Sequence, residues 1–105
     1  METPVATLEE TTRRLASAEG DILALGVARL ALFGSVLRGS PGPGSDIDFL
    51  VQFRQGAKSY DRFLALSELL EVRLGRQVEL VTTEALSPYL APRILAEARD
   101  VVRAA

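Results

Sequence analysis

FGSVLRGSPGPGSDIDFLV, Phe33 to Val51, is the stretch that decides how this chain is read. An apolar run, Leu30 to Phe33, ends in Gly34-Ser35. A Gly/Pro/Ser-rich turn, Gly39 to Ser45, follows. Then come Asp46 and Asp48, with Ile47 between them and Phe49-Leu50-Val51 after. The alternation of Ile47, Phe49, Val51 and Phe53 predicts a strand over 46–53 with one apolar face. On a strand the two aspartates leave the same face, about 7 Å apart at their Cα atoms. Paired carboxylates repel unless a cation lies between them. Oxygen-only ligation at that spacing suits one shared Mg ion, or two ions about 3.5–4 Å apart.

Upstream, Val27 to Phe33 predicts a second strand. Val27, Arg29, Ala31 and Phe33 should point one way, and Ala28, Leu30 and Leu32 the other. Gly34-Ser35 then starts a short helical turn through Arg38. Free N–H groups at a strand-to-helix junction bind phosphate. Gly34 lets a phosphate approach, the Ser35 hydroxyl can donate to it, and Arg38 can neutralise it. Ser45, which closes the turn beside Asp46, joins this candidate nucleotide-binding set.

Working outward, Leu8, Leu15, Ala18, Ile22 and Leu25 recur at helical spacing and predict a helix at about 7–24, loosened near Gly20 and ending at Gly26. Thr7 is its candidate cap. Arg13, Arg14 and Glu19 read as a solvated face. Tyr60, Phe63, Leu64, Leu66, Ser67, Leu70 and Leu74 predict a second helix at 59–74, stopped by Gly75. Gln77 to Thr82 reads as a third strand, with Val78 and Leu80 on one face and Glu79 and Val81 on the other. If it lies beside 46–53, Glu79 supplies a third carboxylate. A last helix at about 88–98, started by Pro88, should bury Leu90, Ile94 and Leu95. Val101-Val102 either extends it or adds an edge strand. Tyr60, Tyr89 and Lys58 read as surface residues. Short strands with helices between them predict an α/β (α+β) fold, a small mixed sheet flanked by helices.

Composition narrows the chemistry. The 105 residues fit a single domain, and 48% hydrophobic residues can build its core. There is no cysteine and no histidine, so thiolate and imidazole catalysis and Cys-ligated zinc are excluded. A net charge of −2 argues against broad nucleic-acid binding. No apolar run approaches a membrane span, and the acidic, polar start is unlike a signal peptide, so the cytoplasm is the expected location. Taken singly, Gly-Ser at a strand end is a turn, Asp-x-Asp is a strand edge, and Glu79 is a solvent-facing residue. Phosphate binders and metal-binding carboxylates in this order are the parts for nucleotidyl transfer.

Gly34-Ser35, ten residues, then Asp46-Ile47-Asp48 resembles the GSX10DXD signature of the DNA polymerase beta-like nucleotidyltransferase superfamily. FGSVLRG, SDIDFLV, the following helix and VELVT are similar to its smallest branch, the minimal nucleotidyltransferase (MNT) domains, over about residues 8–98. The resemblance implies a single nucleotidyltransferase domain that uses ATP. Gly34 and Ser35 would hold the triphosphate, and Asp46 and Asp48 would ligate two Mg ions. Glu79 would take the place of the third carboxylate, which ligates the catalytic metal and helps deprotonate the acceptor hydroxyl. That position is usually Asp in the family, and one extra methylene moves the carboxylate by about 1.5 Å, a shift that costs much in catalysis. The resemblance further implies an antitoxin that forms a hetero-complex with a HEPN-type toxin and adds AMP to its tyrosine. A second reading stays open, a module that neutralises the toxin by binding alone. So does a homodimer.

Overall fold

The computed structural model of the protein describes residues 7–34 and 46–104. The element order is α1 (Leu8–Ser17), α2 (Glu19–Ala24), β1 (Val27–Phe33), β2 (Ile47–Phe53), α3 (Tyr60–Leu74), β3 (Val78–Thr82), a 3-10 turn (Thr83–Ala85), α4 (Ala91–Glu97) and β4 (Arg99–Arg103). The strands form one mixed sheet in the order β3-β2-β1-β4. β1 is antiparallel to β2 and to β4, while β2 and β3 are parallel and joined through α3. The expected mixed sheet with helices is therefore the fold.

β2 is the strand that sequence reading describes best. Ile47, Phe49, Val51 and Phe53 all enter the core, where they meet Leu15, Ala18 and Ile22 from the first two helices and Leu66, Leu70 and Leu74 from α3. Helical spacing on α1–α3 thus meets strand alternation on β2, and one face of the sheet is covered. Tyr60 and Leu64 of the α3 pattern turn outward instead. Ser59 caps α3 by accepting a hydrogen bond from the Arg62 N–H at 3.2 Å, and Gly75 ends it with φ +69°.

Four expectations are corrected. The helix at 7–24 is two helices, broken at Ala18 rather than loosened at Gly20. Ala18 ends the first with φ −104° and no side-chain cap starts the second. In β1 the register shifts between Val27 and Arg29. That bulge adds a residue, so Val27 joins Leu30 and Leu32 in the core instead of lying with Arg29 and Ala31. Arg14 is not a solvated charge: its guanidinium donates to the Arg73 and Leu74 carbonyls at 3.3 and 3.5 Å, at the negative end of α3. Lastly, α4 begins at Ala91, with Pro92 in its first turn, and buries no residue completely. Leu90 is 53% and Leu95 45% exposed. Val101-Val102 belongs to β4, where Val102 is buried against Leu30.

The route of the chain explains α4. β3 and β4 are the two edges of the sheet. The connection between them must pass two strands, and the core face is already occupied by α1–α3. The 83–98 segment therefore crosses the second face, and the space beneath it stays partly open.

Candidate active site

Side chains of paired strand residues leave a sheet on the same side. The register aligns Phe33 with Asp48 and Asp48 with Glu79. One row across three strands, Phe33–Asp48–Glu79, therefore points away from the core. The next row is Ala31–Leu50–Val81. Adjacent strands lie about 4.8 Å apart, so the Asp48 and Glu79 carboxylates can reach one ion. The condition set for Glu79 is met in placement: β3 does lie beside β2.

Gly34 follows this row directly and is buried, with φ +80°. A Cβ added there would collide with Asp48 Oδ2 and stand 2.9 Å from its Cγ. The Asp48 carboxyl thus lies against the Gly34 backbone. Only glycine combines that backbone conformation with that approach. Gly34 and Asp48 are far apart in sequence, and the antiparallel pairing of β1 with β2 brings them together.

Above the row opens a cleft of about 550 Å3. Its floor is Phe33, Gly34, Asp48, Glu79 and Val81, and its roof is the crossover, through Leu86, Ser87, Leu90, Arg93, Ile94 and Glu97. A largely apolar cavity with a few charged groups at one end is the usual form of a nucleotide-sized site. Asp48 is half-buried and Glu79 exposed. Asp46 precedes the strand, is exposed, and does not line the cleft. Among the described residues, no three acidic side chains are gathered tightly enough to hold a metal. Ser35, Arg38, Ser45 and the helical turn expected after Gly34 lie outside the described residues.

The crossover was missed as part of the site. Leu90 and Ile94 were read as core because they are apolar and helically spaced. Arg93 and Glu97, interleaved with them, were the signal that this helix faces a polar cavity. Lys58 and the tyrosines stay on the surface: Lys58 donates to Glu84 Oε2 at 3.1 Å, and Tyr60 and Tyr89 are exposed.

The nucleotidyltransferase domain family matches residues 12–101, nearly the whole chain. The chain belongs to this family. A protein adenylyltransferase of Thermococcus cleftensis, MntA, is 39% identical over 72 residues, which cover 69% of this chain and 72% of that one. A solved structure described as a candidate minimal nucleotidyltransferase is 33% identical, with a TM-score of 0.69 over 84% of this chain and 93% of that one. The fold also matches that of a complex from Shewanella oneidensis, a tri-AMPylated HEPN toxin with its MNT antitoxin. There the TM-score is 0.63, over 91% of this chain and 72% of that chain, at 18% identity. This nucleotidyltransferase domain has the minimal fold, and the Phe33–Asp48–Glu79 row lies on the floor of its cleft. Among the described residues, no helix is long and apolar enough to cross a membrane.

Proposed function

We propose that this nucleotidyltransferase transfers AMP from ATP to a tyrosine hydroxyl of a HEPN-type toxin, with Mg, and so acts as that toxin's antitoxin in the cytoplasm. The register that sets Asp48 beside Glu79, with Gly34 against the Asp48 carboxyl, carries the reading. The protein adenylyltransferase of T. cleftensis and the AMP-bearing toxin complex of S. oneidensis support its substrate side.

The donor set fits Mg. Its oxygens are hard, and the chain has neither histidine nor cysteine to compete with them. Mg is commonly held by one or two carboxylates, with water and substrate phosphate oxygens completing its shell. Asp48 and Glu79, neighbours across β2 and β3, would be that pair. Bound Mg supplies charge neutralisation and a polarised α-phosphate. The residues do the rest. Gly34 leaves room for the Asp48 carboxyl against its backbone, and that contact holds Asp48 in place. Glu79, the more exposed carboxylate, accepts the proton of the incoming hydroxyl. The hydroxyl oxygen bonds to the α-phosphorus, the bond from that phosphorus to the bridging oxygen breaks, and pyrophosphate leaves with the electron pair.

The test uses the product of the gene adjacent to that of this chain as the candidate partner. Wild type, Asp48→Asn and Glu79→Gln are incubated with the partner and Mg-ATP, and the partner is weighed by mass spectrometry. We expect AMP adducts on a tyrosine with wild type, and a loss of at least about 100-fold in rate for each variant. A stable complex in which no adduct ever forms overturns the catalytic reading and leaves neutralisation by binding.

A further inference from the structure

The roof of the cleft carries one feature that the nucleotidyltransferase motif does not use. Asp48, Glu79 and Glu97 bring three carboxylates to the cleft, and Arg93 is the sole cation among its described lining residues. Arg93 lies on α4, which belongs to the crossover and not to the sheet. Glu97 is four residues on, the spacing at which opposite charges on a helix meet. Even so, the Arg93 guanidinium makes no hydrogen bond or ion pair with any described residue. Elsewhere the arginines near acids are engaged: Arg29 with Asp100, Arg73 with Asp21, Arg103 with Asp100. A guanidinium with no partner among the described residues, on the wall of a cleft opposite the candidate phosphate and metal groups, is suited to a ligand that is itself an anion.

We infer that Arg93 positions the phosphate chain of the nucleoside triphosphate from the roof of the cleft. The inference rests on the nucleotidyl-transfer reading and adds a residue that its sequence motif does not contain. A triphosphate carries about four negative charges at neutral pH, and three carboxylates around it would repel it strongly. Metal ions on the floor offset part of this. A guanidinium on the opposite wall offsets more, and its planar fork can take two phosphate oxygens at once. The site then holds its anion between two walls: carboxylates and glycine below, arginine above. Leu90 and Ile94 flank Arg93 on the same wall of the cleft and give that side an apolar surface beside the guanidinium. Because α4 buries no residue completely, it can settle onto a ligand without disturbing the core. Arg93 is a positioning residue on this account, and it takes no proton.

The experiment is titration calorimetry of the full chain with Mg-ATP and with Mg-AMP, at one fixed salt concentration. Wild type is compared with Arg93→Gln, Arg93→Lys and Arg13→Gln. Arg13 is an exposed residue of α1, on the covered face of the sheet, and controls for loss of one positive charge. Thermal melts of the unliganded proteins confirm that each variant is folded. Expected is a loss of about tenfold or more in Mg-ATP affinity for Arg93→Gln, with less than about twofold for Mg-AMP, which lacks most of the phosphate chain. Arg93→Lys should fall between, and Arg13→Gln should match wild type. The inference is overturned if Arg93→Gln binds Mg-ATP like wild type, if ATP and AMP weaken by the same factor, or if Arg13→Gln loses as much. An Arg93→Gln protein that binds ATP normally but loses its toxin partner moves Arg93 to the partner interface and equally overturns it. If wild type itself binds no Mg-ATP, the nucleotidyl-transfer reading falls as well. That outcome is distinct from failure of the Arg93 assignment alone, in which wild type and variant bind alike.

Discussion

Replacing Gly34 with alanine probes the join between fold and site, because two costs there separate cleanly. The first is backbone. At φ +80° an alanine pays about 1–2 kcal/mol for the left-handed region. The second is crowding. The new Cβ would collide with Asp48 Oδ2 and lie 2.9 Å from Cγ and 3.2 Å from Cβ of that residue. Overpacking of this kind costs a further ~1–3 kcal/mol. About 3 kcal/mol in all is a large share of a small domain's stability. It corresponds to a fall in Tm of roughly 12 °C at about 4 °C per kcal/mol. Asp48→Ala removes Cγ and Oδ2 but leaves the Cβ at 3.2 Å. In that background Gly34→Ala should cost only the backbone part. Urea melts of the four proteins give the coupling directly, and at least about 1 kcal/mol is expected. On the proposed function Mg-ATP should raise the Tm of wild type, and the same displacement of the Asp48 carboxyl should abolish that rise. If Gly34→Ala costs the same in both backgrounds, to within about 0.5 kcal/mol, the carboxyl does not lie against that backbone and the site geometry is wrong.

Leu70→Ala, at a fully buried position of α3, should lower stability by about 2–5 kcal/mol in urea melts, whereas Leu64→Ala on the exposed side of the same helix should stay within about 0.5 kcal/mol. Ser59→Ala removes the cap that receives the Arg62 N–H and should cost about 1 kcal/mol, read as a fall in the urea midpoint at an unchanged slope. Glu84 titrates below its ordinary value of 4.5, first because Lys58 donates a hydrogen bond to its side chain and then because Thr83 does. A lowered carboxyl contributes stability above the unfolded-state value and loses it as the pH falls through the folded-state value. Lys58→Gln should therefore cost stability at pH 7, by less than about 1 kcal/mol for so exposed a pair, and nothing measurable well below pH 4. A melt series from pH 3 to 7 checks this.

Local pattern carried most of the fold. Strict alternation in β2 and the leucine spacing in α3 each bury one face, and those faces can only meet one another. What escaped had no local signal. The bulge in β1 depends on how that strand registers with β2, so counting residues in twos placed Val27 on the wrong side. Arg14 pairs with Glu10 on its own helix at 2.7 Å, but it also donates to the Arg73 and Leu74 carbonyls of α3, some sixty residues away, and only the first of these contacts is local. The misplaced burial of Leu90 and Leu95 has a topological origin. Their helix crosses the sheet face left open by the others, and apolar spacing cannot tell a helix packed on a core from one roofing a cavity. The Asp48–Glu79 pairing was legible only as a conditional, because strand order is non-local.

The positions of the two carboxylates in the sheet bear on how each tolerates a change of side-chain length. Asp48 sits on β2, an inner strand paired on both sides, and its carboxyl is fixed against Gly34. Glu79 sits on β3, an edge strand with a neighbour on one side only. It is exposed, with a side chain longer by one methylene and one more rotatable bond. At the inner position a longer side chain would move the carboxyl away from its contact with the Gly34 backbone. At the edge, the same methylene can be taken up by a different rotamer, at a cost of order 1 kcal/mol in side-chain entropy. A glutamate is thus accommodated at position 79, while position 48, whose carboxyl lies against Gly34, is the less adaptable of the two.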